Sequence, residues 1–267
     1  MLAKLASLSA EERARGVVSI SAGNAAQGLA WACALERVDC LVVMWRGASA
    51  QKVAATQAYG AAVDLEAADP VAGFERVREV QRATGRTFVH PYDDPVVIAG
   101  HATLGRELAE DLPDVDVVLV PVGGGGLVSG IAIALAPKRV IGVEPEGSPA
   151  LHEALRAGRP VPVTPRSVAD ALSAPVAGEH AVTICGELGV EVVLVSEDEI
   201  RDGFRFLYER AKLAAEPGAA VGVAALLAGT VRDVGGATVA VVVSGGNVAV
   251  ETASGILKRK RPQADET

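Results

Sequence analysis

The feature that most constrains this chain is an alternation. Short β-branched runs and Ala-rich stretches of helical period follow one another along nearly all of its 267 residues. "GVVSIS" (16–21), "CLVVM" (40–44), "AAVDL" (61–65) and "TFVH" (87–90) read as strands. Between them "AQGLAWACALER" (26–37), "SAQKVAATQAYG" (49–60, closed by Gly60) and "PVAGFERVREVQRATG" (70–85, opened by Pro70 and closed by Gly85) read as helices. Strands separated by helices pair in parallel, because each crossover returns the chain to the same end of the sheet. A second series follows: helix 94–112, strand 116–122, helix 127–135 and strand 139–145. Then come a strand and helix over 191–213, a helix over 219–229 and a last strand and turn over 238–247. Ser196 and Glu199 form a capping box at the start of the helix in 191–213. The stretch 167–183 reads as an irregular loop lining a cleft, and the break between the two series falls near "HPYDDP" (90–95). The expected fold class is α/β, with two open twisted parallel sheets.

Half of the residues are hydrophobic but only 3% are aromatic, so the core must be built from Ala, Val, Leu and Ile. The formal net charge of −8 argues against a nucleic-acid partner, which needs a basic footprint. The one basic cluster, Lys258 to Arg261, falls in a polar tail (258–267) and reads as solvated. Cys33, Cys40 and Cys185 are too few and too scattered for a disulfide framework or a zinc site. The four histidines show no HxxH or HExxH spacing, and no metal is expected. Charges interrupt the first residues where a signal peptide would be apolar, and glycines cut the longest apolar region, 115–136. The expectation is a soluble, cytoplasmic protein with no membrane partner.

"VPVGGGGLVSG" (120–130) puts glycines between a strand and a helix. Such a turn collects free backbone N–H groups and the positive end of a helix, which suits a phosphate. Glycine also lets the backbone approach the anion closely. The plain alternative is a tight turn with no ligand. A dinucleotide site is a third: Gly124, Gly126 and Gly130 approximate its fingerprint, and Glu144 ends the next strand where a ribose-binding acid would stand. The loop alone leaves these open. Two further turns bear on it. "SISAGNAAQGLA" (19–30) sets Ser, Gly and Asn at another strand-to-helix junction, and "VVSGGNV" (242–248) sets Ser and Asn after the last strand. A dinucleotide site needs neither.

Nine stretches, in order, carry a resemblance: "SAGNAAQG", "KVAATQAYGA", "HPYDDPVVIAG", "VPVGGGGLVSG", "VIGVEPE", "SVADAL", "VSEDEI", "AEPGAA" and "VVSGGNV". From about residue 3 to residue 250 the chain resembles the threonine dehydratase/serine racemase group, fold-type-II enzymes that use pyridoxal 5′-phosphate (PLP). The resemblance implies a small α/β domain over 15–90, a large PLP-binding domain over 91–257, and residues 1–14 as the remnant of an N-terminal helix. It implies that Gly123, Gly124, Gly125 and Gly126, with the N–H of Leu127, hold the cofactor phosphate. Asn24 would bond the ring hydroxyl, Glu216 would lie near the ring, and Ser244 would face the pyridine nitrogen. Ser21, Ala22, Gly23, Asn24 and Ala25 would bind the substrate carboxylate through N–H groups. The ordinary alternative for Ser21 and Asn24 is to cap the helix that starts there. The implied reaction is β-elimination from L-threonine or L-serine, giving a 2-oxo acid and ammonia, in a homodimer or homotetramer.

Departures from the group's pattern matter. Ala22 stands where serine racemases carry a serine, the base on the far face of the substrate, so deamination is favoured over racemisation. Ala25 replaces a usual histidine, His101-Ala102 a Gln-Gly pair and Trp45 a proline. Glu144 would serve the group's cation site, but its partner acid is replaced by Ala150, so no metal is expected. No lysine of the six falls where the group's Schiff-base lysine lies; that lysine, in a segment like "SFKxRG", is expected upstream of Met1. Lys4 reads as a surface residue and Lys52 as part of an amphipathic helix. The expectation is an N-terminally truncated chain, without the first strands of the large domain and inactive as it stands. The alternatives are a non-catalytic relative that binds PLP or an amino acid and, on the glycine loop alone, an NAD-dependent oxidoreductase.

Overall fold

In the computed structural model, residues 1–258 are described, so the predicted polar tail after Lys258 lies outside the described residues. The chain opens with two short helices, α1 (Leu2–Ala6) and α2 (Ala10–Arg15), the second started by a Ser9–Glu12 capping box. The first sheet holds β1 (Val17–Ile20), β2 (Cys40–Trp45), β3 (Ala62–Ala67) and β4 (Thr87–Phe88). Helices α3 (Asn24–Glu36), α4 (Ala50–Ala58) and α5 (Pro70–Thr84) connect them. The second series runs α6 (Pro95–Asp111), β5 (Val117–Pro121), α7 (Gly126–Leu135), β6 (Arg139–Pro145), α8 (Ala150–Ala157) and α9 (Glu179–Glu187). It closes with β7 (Glu191–Val195), α10 (Glu197–Phe206), α11 (Val221–Leu227), β8 (Val239–Val241) and α12 (Val250–Lys258).

Each sheet is parallel and has four strands, ordered β3-β2-β1-β4 and β7-β6-β5-β8. Both faces of both sheets are covered, and alternate residues of one strand feed opposite cores. Val118 and Val120 of β5 pack with Val128 and Ile131 of α7; Val117 and Leu119 pack with Ile200 of α10 and Val221 of α11. Val17 of β1 packs with Leu29 of α3, whereas Val18 and Ile20 meet Val77 and Val80 of α5. With so few aromatic side chains, helices approach closely through glycine. A Cβ at Gly105 of α6 would come within 2.7 Å of the Ala134 Cβ, and one at Gly130 of α7 within 2.5 Å of the Ile98 carbonyl oxygen.

Three sequence expectations change. The stretch 167–183 contains a 3-10 turn, Asp170–Leu172, and the first turn of α9. The last strand is only Val239–Val241, so Ser244 lies in extended loop beyond it. Helix α10 runs into a π-helical turn, Leu207–Ala211, rather than continuing as α-helix to 213. The capping box at Ser196 and Glu199 is present in both directions.

The topology also locates the chemistry. The chain passes from β1 to β2 and β3 on one side and later places β4 on the other; β5, β6, β7 and β8 repeat the pattern. β1 and β5 are therefore the strands at which the order reverses. A crevice opens beyond the carboxyl ends of such strands, and ligands of open α/β sheets bind there. The turns that leave β1 and β5 are Ser21–Ala25 and Gly123–Leu127, the two loops that the sequence singles out.

Candidate active site

The turn after β5 is tight enough that each central glycine is required. A Cβ at Gly124 would enter the Tyr92 ring, one at Gly126 would lie 2.6 Å from the Tyr92 carbonyl oxygen, and Gly125 holds a left-handed φ of +92°. The carbonyls of the turn are used within the protein. Gly124 O accepts from Gly178 N at 3.0 Å, and Gly125 O accepts from the N–H and the hydroxyl of Ser129. The N–H groups of Gly123 through Leu127 find no acceptor among the described residues. Five successive donors without acceptors stand at the positive end of α7, a geometry that suits an anion. Gly130 serves the packing of α7 on α6, and Glu144 is fully buried, with its two carboxylate oxygens accepting from Leu151 N and His152 N at 2.8 Å each. That acid is therefore committed to the start of α8 and cannot reach a ribose.

The turn after β1 has the same character on a smaller scale. Gly23 is the residue that precedes α3, and no side chain caps that end. The Ser21 hydroxyl accepts from Gly23 N at 3.1 Å, while the N–H groups of Ala22, Asn24 and Ala25 have no acceptor among the described residues. Asn24 does not cap the helix. It is the first residue of α3, and its Nδ2 donates to Glu216 Oε1 at 2.7 Å, across 192 positions of sequence.

Glu216 is 2% exposed, yet its Oε2 has no hydrogen-bond partner. Burial pushes its carboxyl above the ordinary range, against the Asn24 amide, the Lys52 ammonium and the Asn247 N–H, which favour the anion. Glu216 N donates to Gly245 O at 2.9 Å, and a Cβ at Gly245 would fall 2.7 Å from Asn24 Nδ2. Gly245 thus seats the 244–247 loop on the Asn24–Glu216 pair. Ser244 is exposed, and its hydroxyl makes no hydrogen bond among the described residues. Two more buried amide nitrogens lack partners: Nε2 of Gln27, one turn along α3 from Asn24, and Nδ2 of Asn247.

The two turns share a support. A Cβ at Gly123 would lie 3.3 Å from Leu172 Cα, and one at Gly218, two residues after Glu216, would lie 3.2 Å from Leu172 Cγ. The turn Asp170–Leu172 therefore touches both the glycine loop and the Glu216 segment. Four residues here carry no role in the sequence reading. Tyr92 forms a wall of the glycine loop, its hydroxyl donating to Val176 O at 3.0 Å, although "HPYDDP" reads as a boundary and as part of a resembling stretch, with no role for the tyrosine. Asn247 stands in a recognised turn, and Asp170 stands in "SVADAL". Lys52, read as part of an amphipathic helix, is 8% exposed and bonded to Asp170 at 2.6 Å. No lysine among the described residues hydrogen-bonds to the glycine loop, to Asn24 or to Glu216: Lys4 pairs with Asp94 and Lys138 donates to Pro113 O. An apolar groove lined by Ile98, Ala102, Ile133 and Ile184 lies elsewhere, and none of these site residues lines it.

Comparison with known proteins gives the family. The family model described as pyridoxal-phosphate dependent enzyme matches residues 1–245. An L-threonine ammonia-lyase of Thermotoga maritima is 44% identical over 261 residues, covering 96% of this chain; the chain spans 65% of that protein's length. The crystal structure of T.th. threonine deaminase superposes with a TM-score of 0.85 at 35% identity, over 93% of this chain and 82% of that one. Maize serine racemase gives 0.89 at 30% identity, over 95% and 80%. With a family match over nearly the whole chain, and with the glycine loop and the Asn24–Glu216 pair at the two sheet-reversal points, the chain belongs to the pyridoxal-phosphate dependent enzymes.

Proposed function

We propose that the chain is the binding body of a PLP-dependent ammonia-lyase that converts L-threonine or L-serine to a 2-oxo acid and ammonia. The observation that carries this is the run of acceptor-free N–H groups from Gly123 to Leu127, in the same cleft as a buried, half-satisfied Glu216 held by Asn24. These residues fit the cofactor. The run suits a phosphate dianion, side chains at Gly124 or Gly126 would collide with Tyr92, and the unpartnered Glu216 oxygen and Asn24 amide offer an acceptor and a donor to a substituted pyridine. When bound, PLP supplies an electron sink that makes an amino acid's α-proton removable.

The chain's own residues bind and orient. The N–H groups of 123–127 would hold the phosphate, Asn24 would meet the ring hydroxyl, Glu216 would lie beside the ring and Ser244 would face the pyridine nitrogen. In the Ser21–Ala25 turn, the N–H groups of Ala22, Asn24 and Ala25 would take the substrate carboxylate at the start of α3, while Ser21 N is held by Val43 O and Gly23 N by the Ser21 hydroxyl. Ala22 offers no hydroxyl on the far face, which favours elimination over racemisation. No described helix is long and apolar enough to cross a membrane. As a metabolic lyase of this family the protein is placed in the cytoplasm, as a homodimer or homotetramer. One observation favours a second function, a non-catalytic binder of PLP or an amino acid: among the described residues no lysine hydrogen-bonds to the loop, Asn24 or Glu216.

Titration of the purified chain with PLP, followed by absorbance, tests the common part. Saturable binding is expected, and its absence overturns both functions. Ammonia and 2-oxo acid release are then assayed with L-threonine and L-serine, both for this chain and for one extended upstream in frame through a lysine. Release establishes the lyase; binding with no release from either chain leaves the non-catalytic relative.

A further inference from the structure

We propose that Lys52 is a positioning residue for the cofactor site. Its ion pair with Asp170 acts as a clasp from the first sheet's helices to the 170–172 turn, keeping that turn against Gly123 and Gly218. This rests on the glycine loop being the phosphate site.

Three observations carry it. First, the pair is lopsided. The Lys52 side chain is 10% exposed and that of Asp170 is 62% exposed, with Nζ and Oδ2 2.6 Å apart. Lysine is the buried member of the pair, while the acid stays in solvent. An apolar side chain of similar length would fill that place in α4 without burying a charge, so packing alone does not account for the ammonium. Second, the principal neighbours of α4 are α3 and β3, all in the first sheet's layer. Lys52 reaches out of that layer to the loop between α8 and α9 of the second. The Thr56 hydroxyl donates to Lys52 O at 2.9 Å and fixes the turn of α4 from which it reaches. Third, the turn it grips is the shared support of the site. Leu172 faces Gly123 and Gly218 at once, and its carbonyl is held by the buried Ser148 hydroxyl at 3.0 Å. A small shift of this turn moves the first donor of the loop and the Glu216 segment together, and geometric errors of about 1 Å weaken such sites.

The charged groups near Glu216 are Lys52, which favours its anion, and Asp170, which opposes it. Removing Lys52 therefore changes the field at Glu216 as well as the turn.

The test uses the 267-residue chain with Lys52→Met, Lys52→Arg, Asp170→Asn and the reversal Lys52→Asp with Asp170→Lys. The expected pattern separates positioning from plain stability. Lys52→Met keeps or raises the melting temperature, because a buried charge is removed, yet it weakens PLP binding by about tenfold, the scale seen for residues that orient a site's direct contacts. Lys52→Arg restores affinity, and the reversal restores part of it. Without PLP, hydrogen–deuterium exchange at 123–127 and 168–173 rises in Lys52→Met and returns in Lys52→Arg. Unchanged exchange in Lys52→Met overturns the clasp, whether or not PLP binds. Raised exchange with wild-type PLP affinity overturns its role at the cofactor site. A wild-type chain that binds no PLP overturns the proposed function instead, and the exchange arm still decides the clasp.

Discussion

Glu144 and Glu216 are both buried glutamates in the second half of the chain, and the difference between them separates scaffold from site. Glu144 has an N–H donor on each oxygen, whereas Glu216 has one oxygen bonded to Asn24 and one with no partner. A buried acceptor left unsatisfied costs about 1–3 kcal/mol, so Glu216 is retained against stability. Glu144 makes a separable prediction. Burial raises its folded pKa to about 8 from an ordinary value of 4.5. The folded chain then holds this proton more tightly than the unfolded chain does. The resulting stability is fully present below about pH 4.5 and is lost as pH rises through about 8. In urea melts across that window, Glu144→Gln is expected to be less stable than wild type near pH 5, by about 1–2 kcal/mol, because an amide offers only one acceptor to two N–H groups. The gap should narrow as pH rises. A gap that widens with pH contradicts the protonated form.

At the scale of elements, helices with local signals are legible in the sequence and helices with borrowed ones are not. Helix α5 is announced by Pro70 at its start and Gly85 at its end, and α10 by Ser196 and Glu199. Helix α9 has Gly178 before it and no side-chain cap nearby; its first N–H groups, of Glu179 and His180, are bonded at 3.0 Å by Asp93, 86 and 87 positions upstream. The start of α8 is likewise capped by Glu144 from the strand before it. No window of local sequence contains the Asp93 pairings, so 167–183 reads as loop. The site follows the same division. Gly123 to Leu127, Asn24 and Ser244 stand in turns that a reader of residue order can find. Lys52, Asp170 and Tyr92 gain their places only when the two layers meet. Asp93→Ala is expected to lower stability by about 1–2 kcal/mol, the usual worth of an N-cap, with the added hydrogen exchange concentrated in 179–183. Exchange spread evenly over the chain would contradict a local cap.

At the scale of the whole molecule, two parallel sheets present the carboxyl ends of β1 and β5 to one cleft, and polar links cross it at Asn24–Glu216 and Lys52–Asp170. A ligand that bridges such a cleft binds the folded chain alone and stabilises all of it. PLP at a hundredfold excess over its Kd is expected to raise unfolding stability by about 2.7 kcal/mol, read as a shift in the urea midpoint. In Asn24→Ala the ligand-free midpoint should fall, because Glu216 loses its side-chain partner, and the same PLP concentration should produce a smaller shift from that lower midpoint. An equal shift in both proteins would remove Asn24 from the ligand's contacts.

The segment that joins the two sheets has a mechanical meaning. His90 to Asp94 is the only covalent passage from β4 to α6, and a separate hinge would be sought there. Yet Tyr92 stands against Gly124 and Gly126 with no space between, and Asp93 is fastened to α9. The passage is thus the floor of the 123–127 turn. A swing of one half that flexed this passage would drive a phenol ring into the turn or pull it away, so the aim of the turn's N–H groups and the width of the cleft share one lever.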